Sequence, residues 1–97
     1  MTVLEKVNVL QKVPIFYGIR TESLARVAAL AQEVGYDARQ QLYRENDAAD
    51  SMFVVVEGEV ELVRDGRETQ KVGAHQVVGA FALLAGDTQP ESAVAAV

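Results

Sequence analysis

Cysteine is absent from this 97-residue chain. Without thiols there is no disulfide framework, no thiolate metal site and no cysteine nucleophile. The one histidine, His75, cannot build a zinc site alone. No apolar run approaches the roughly 18 residues that a membrane-spanning helix requires. Met1 to Leu10 carries Glu5 and Lys6 inside its apolar pattern, which is not the pattern of a secretory signal. These absences lead to the expectation of a cytoplasmic protein. Basic residues are scarce as well: nine Lys and Arg face fourteen Asp and Glu, for a net charge of −5. They are scattered, with no cluster of three. A duplex-binding protein needs a basic face to displace counterions. Direct nucleic-acid binding is therefore not expected, and no helix-turn-helix follows the last strand.

What remains is the composition of one globular domain. The hydrophobic fraction is 49% and the charged fraction 24%, which argues against disorder. The length allows one domain, built from a helical segment at 1–35 and a β-roll at 36–97.

Leu4, Val7, Leu10 and Val13 recur at helical spacing, and Pro14 stops that helix. Ile15, Phe16 and Tyr17 form an apolar knot, expected to pack on the next helix. Thr21 is placed to cap that helix, with Glu22 in its first turn. Leu24, Val27, Ala28, Ala31 and Val34 share one face, and Gly35 is the natural stop.

After Gly35 the period changes to two. Residues 36–40 and 41–45 read as short strands. Residues 45–50 form a polar turn in which Asn46 suits a left-handed conformation. Residues 52–62 alternate, with a bend or bulge expected at Gly58. Asp65-Gly66 between two strand patterns is a two-residue hairpin signal. Val77-Val78 is a further short strand, a short helix follows near residue 82, and residues 92–97 form a last apolar strand. The order of elements predicts a mainly β fold with N-terminal helices, of the jelly-roll kind.

No catalytic constellation is visible. His75 has no nucleophile pattern beside it. Glu57, Glu59 and Glu61 alternate along a strand and read as a solvated face, and a metal-dependent cupin barrel would need several histidines. The chain is not expected to be an enzyme.

One stretch carries a specific resemblance. Gly79-Ala80-Phe81-Ala82-Leu83-Leu84, followed by Pro90-Glu91-Ser92-Ala93, resembles the phosphate-binding cassette of cyclic nucleotide-binding domains. Val13-Pro14-Ile15-Phe16, Glu45-Asn46-Asp47, Met52-Phe53-Val54-Val55, Glu57-Gly58-Glu59-Val60 and Gly73 resemble the rest of the family pattern in order and spacing. The resemblance implies a double-stranded β-helix with its cassette at 79–93. It implies a regulatory or sensor role inside a larger protein. It also implies candidate ligand-binding residues at Gly79, Ala80, Phe81, Ala82, Leu83, Glu91, Ser92 and Ala93.

Two departures bear on that expectation. Ala80 stands where the family has a glutamate that accepts from the ribose 2′-OH, and Glu91 where it has an arginine that grips the cyclic phosphate. cAMP or another cyclic nucleotide is therefore possible but disfavoured and no cofactor is certain; a cAMP sensor with a non-standard pocket, or a site for a different small anion, is the alternative. The apolar residues Phe81, Leu83 and Leu84 are expected to fill the core. Arg64, Arg67 and Lys71 could supply a cation, though the hairpin pattern places them in solvent. The family's last strand and C-terminal helices are also absent, so the fold is expected to be incomplete at its C-terminus. An open sheet edge would then favour self-association or an interaction-module role.

Overall fold

The computed structural model describes residues 1–96. The chain divides into two compact units, Met1–Gly35 and Tyr36–Val97.

The first unit holds two helices, α1 (Val3–Leu10) and α2 (Thr21–Leu30), joined by a 3-10 turn at Pro14–Phe16. A reciprocal capping box starts α1. The Glu5 amide donates to Thr2 Oγ1 at 3.1 Å, and the Thr2 amide donates to Glu5 Oε1 at 2.9 Å. Hydrogen bonding to the Thr2 amide first, and to the Thr2 hydroxyl second, holds the Glu5 carboxyl below its ordinary value. A depressed carboxylate stabilises above its unfolded pKa, and that contribution is lost as pH falls through the folded value. Thr2→Ala is expected to lower the stability of this unit by about 1 kcal/mol, measured by thermal melting.

Val7, Leu10, Val13, Leu24 and Ala28 are buried and form this unit's core. Leu4, Ile15 and Tyr17 are largely exposed, so the apolar knot after Pro14 is not a packed element. Helix α2 is shorter than its apolar period. It ends at Leu30, and Val27 and Val34 are exposed. Ala31 is already extended (ψ 139°), and its carbonyl accepts from Lys6 Nζ at 2.7 Å. A carbonyl bonded to a distant lysine does not require a further helical turn. Thr21 is the first helical residue and not the cap; Arg20 holds that place without a side-chain bond.

The second unit is mainly β. Strands β1 (Gln41–Tyr43), β3 (Val60–Arg64), β4 (Arg67–Val72) and β6 (Ser92–Ala95) make an antiparallel sheet in the order β1-β6-β3-β4. Strands β2 (Phe53–Val54) and β5 (Val77–Val78) form an antiparallel pair. Both sheets contribute to one core: Val55, Val60, Val72, Val78 and Ala93 are buried, with Leu42, Tyr43, Phe53 and Leu62 against them. Tyr43 stacks on Phe53 at 6.1 Å between centroids, and Tyr36 meets Phe53 edge-on at 6.5 Å.

The expected strand at 36–40 is a turn instead. The Gln40 amide donates to the Asp37 carbonyl and the Gln40 side chain accepts from the Asp37 amide, with Arg39 left-handed at φ 76°. The long run from 52 to 62 is two strands separated by a bend at Gly58 (φ 83°). The hairpin between β3 and β4 turns at Asp65 (φ 52°) and Gly66 (φ 77°), the pair of positive values that a type I′ turn demands. Asn46 is left-handed at φ 72°, as its place in the turn predicts.

Strand β6 lies between β1 and β3. The edge strand β4 carries Arg67, Glu68 and Lys71, and it is bulged. Charge and a bulge on an edge oppose strand pairing between molecules. Val97 of the expected last strand lies outside the described residues.

Candidate functional site

Helix α3 (Ala80–Ala85) follows β5 directly. Gly79 caps its start in the left-handed conformation at φ 83°, and Gly86 closes its end at φ 67°. A glycine is needed at both places because an L side chain is strained there. The backbone around Gly79 is crowded. A Cβ at that position would lie 3.2 Å from Gln89 Nε2, 3.2 Å from the Ser51 carbonyl oxygen and 3.3 Å from Tyr43 Cε2.

The orientation of α3 differs from the expectation. Ala82 is buried and Leu83 is half-buried, whereas Phe81 is 90% and Leu84 84% exposed. A six-residue helix places only one narrow face inward, and that face here carries Ala82. Phe81 and Leu84 therefore contribute nothing to the core of the described residues.

The segment after α3 is tied to the turn at 44–49. The Ala49 amide donates to the Asp87 carbonyl at 3.2 Å, and Ala48 bridges Thr88. The Gln89 amide donates to the Asp47 carbonyl at 2.8 Å, and the Asn46 amide donates to the Gln89 carbonyl at 2.7 Å. The left-handed Asn46 makes this return possible. Gln89 is 3% exposed, the one buried polar side chain among the described residues.

Of the predicted positions, Gly79, Ala80, Phe81, Ala82 and Leu83 form the start of α3, and Glu91, Ser92 and Ala93 form the entry to β6. Ala93 is fully buried and pairs with Leu62. Ser92 pairs with Val63, and its Oγ accepts from the Glu45 amide at 2.9 Å. Glu91 itself lies in the bend just before β6. Its half-buried carboxylate accepts from the Thr69 hydroxyl. Burial, and after it the charge of Glu91, push the Tyr43 phenol above its ordinary value.

That shift yields a prediction. In a protein with Tyr17 and Tyr36 replaced by Phe, tyrosinate absorbance should report ionisation of Tyr43 above the usual range. Glu91→Gln should bring it down part of the way, since burial remains. The folded state favours the neutral phenol, so this contribution to stability is present below the unfolded pKa and is lost as pH rises through the folded one.

Sequence reasoning missed Tyr43, Thr69 and Gln89. Tyr43 sits in an ordinary strand pattern, Thr69 in a polar hairpin, and Gln89 in a polar loop. None carries a local signal, because register and the return of the loop bring them to the cassette. Arg64, Arg67 and Lys71 are all exposed; Lys71 lies 4.0 Å from Glu68. His75 is half-buried in a left-handed turn at φ 66°, with its amide donating to the Val55 carbonyl at 2.7 Å. No group of three or more metal-ligating side chains occurs among the described residues. No helix among them is long and apolar enough to cross a membrane. A recess of about 70 Å³ beside Arg39, Glu61 and Val94 contains none of the cassette residues.

A two-sheet β unit with a glycine-capped helix inserted before its last described strand is a jelly-roll arrangement. The family model described as cyclic nucleotide-binding domain matches residues 33–97, and the chain belongs to that family. It is similar to a cyclic nucleotide-binding-like protein from Brucella abortus at 29% identity and a TM-score of 0.81, covering 96% of this chain and 84% of that one. It is similar to the N-terminal domain of a transcriptional regulator from Streptomyces coelicolor at 32% identity and a TM-score of 0.79, covering 90% of this chain and 66% of that one. The fold also matches the regulatory subunit of a cAMP-independent protein kinase A from Trypanosoma cruzi bound to guanosine. There the identity is 11% and the TM-score 0.90, with 98% of this chain and 34% of that one covered. No curated protein matches the sequence.

Proposed function

We propose that this chain is a regulatory domain of a larger cytoplasmic protein, with a cassette that binds cAMP and cGMP weakly or not at all. The pair Ala80 and Glu91 carries this reading. A short helix start offers backbone amides to an anion, and Gly79 allows close approach. The side chain that should complete the charge balance has the wrong sign. A carboxylate about 4 Å from a phosphate charge costs about 4 kcal/mol at an effective dielectric near 20. The lost charge-assisted hydrogen bond adds roughly 1.5–3 kcal/mol. Together these weaken binding by about ten-thousand-fold or more. Ala80, in addition, cannot accept from a ribose hydroxyl.

Regulatory relatives support the role. The chain spans 66% of the Streptomyces regulator fragment and 34% of the Trypanosoma cruzi subunit. The test is thermal stability with ligand. Anything that binds only the folded state raises the melting temperature by mass action. Millimolar cAMP or cGMP should leave it unchanged, and a rise of several degrees would overturn the proposal. A second ligand class is favoured by the same carboxylate. Glu91 can accept from hydroxyl donors, and a nucleoside without phosphate avoids the repulsion. Guanosine, which the Trypanosoma cruzi protein holds, belongs in the same series.

A further inference from the structure

We propose that Glu91 and Thr69 form a latch that fixes the cassette to the β3–β4 hairpin without any ligand. The register of that hairpin creates the latch. Leu62 pairs with Gln70 and Val63 with Glu68, so Thr69 is the extra residue of a bulge. Bulges re-aim a side chain, and this one brings the Thr69 hydroxyl both to the Leu62 carbonyl at 3.2 Å and to the Glu91 carboxylate. A hydroxyl has one hydrogen to give, and the charged acceptor is the stronger partner.

Adjacent contacts point the same way. Ser92 Oγ accepts from the Glu45 amide at 2.9 Å, and Glu45 Oε1 accepts from the Asp65 amide at the hairpin tip at 3.2 Å. The cassette end, the turn at 44–49 and the hairpin are thus linked through side chains at 91, 92 and 45. In such a domain the position of the cassette is set by internal bonds and not by occupancy. The latch is independent of whether any nucleotide binds.

Hydrogen exchange of the intact chain tests it, comparing wild type with Thr69→Val, Thr69→Ser, Glu91→Gln and the double variant Thr69→Val with Glu91→Gln. Loss of a bond to a charged group should raise local exchange of the α3 amides about tenfold or more in Thr69→Val. Thr69→Ser keeps the hydroxyl and should stay near wild type. Glu91→Gln keeps a neutral acceptor and should fall between. The double variant should exchange no faster than Thr69→Val, because the two side chains act as one contact. Unchanged α3 exchange in Thr69→Val would overturn the latch. So would effects that add in the double variant. So would a uniform rise across all amides, which would report global destabilisation instead.

Discussion

Ala80→Glu combined with Glu91→Arg is expected to raise cAMP affinity by about ten-thousand-fold or more over the wild-type chain. The arithmetic is the reverse of the loss: repulsion removed, and a charge-assisted bond gained. The expectation depends on the frame holding once the Glu91–Thr69 bond is gone, and the remaining ties support that. Gly79 caps α3 in the left-handed conformation, and Gly86 ends it. Three backbone hydrogen bonds join residues 87–89 to the turn at 46–49. Position 91 sits at the entry to β6, close enough to Tyr43 for its charge to act on the phenol. Position 80 is the first residue of the helix. The single change Glu91→Arg should supply most of the gain, since it alters the sign of the charge. Ala80→Glu alone should supply little, because Glu91 would still repel the phosphate. Calorimetric titration of all three variants measures this directly.

Gly79→Ala is expected to cost about 2–5 kcal/mol of stability in the β unit. The left-handed conformation alone costs an L residue roughly 1–2 kcal/mol. Overpacking adds roughly 1–3 kcal/mol. At φ 83° the new methyl would meet the Ser51 carbonyl oxygen and Gln89 Nε2, both at 3.2 Å. The first of these is backbone and cannot swing aside. For a domain of this size each kcal/mol shifts the melting temperature by roughly 4–8 °C. The drop should therefore be on the order of ten degrees or more by calorimetry or circular dichroism. Gly66→Ala, at φ 77° with nothing within 4 Å of the added carbon, should cost clearly less. The difference between the two isolates the crowding at the cassette.

Much of the β unit was legible because its signals are local. Asn46 suits a left-handed turn, Asp65-Gly66 a tight hairpin and Gly58 a bend, and all four residues have a positive φ. The period-two residues around them then place the core valines. The helical unit was less legible. The apolar period of α2 continues to Val34, but the helix stops where Lys6 takes the Ala31 carbonyl, a contact 25 residues away in sequence. A turn-length helix such as α3 also cannot declare which face is inward. Phe81 and Leu84 were read as core on hydrophobicity, and the structure instead buries Ala82. At the site, residue types at 80 and 91 were plain in the sequence. Their environment was not. The bulge at Thr69, the inward Tyr43 and the buried Gln89 arise from strand register and from a loop returning to a distant turn. No local pattern encodes those relations.

Calorimetric titration of the unmodified chain with cAMP tests the effect of the charge reversal at position 91 most directly. Glu91 and Ala80 predict no binding heat below millimolar ligand, and the same for cGMP. Micromolar binding of either nucleotide would contradict it.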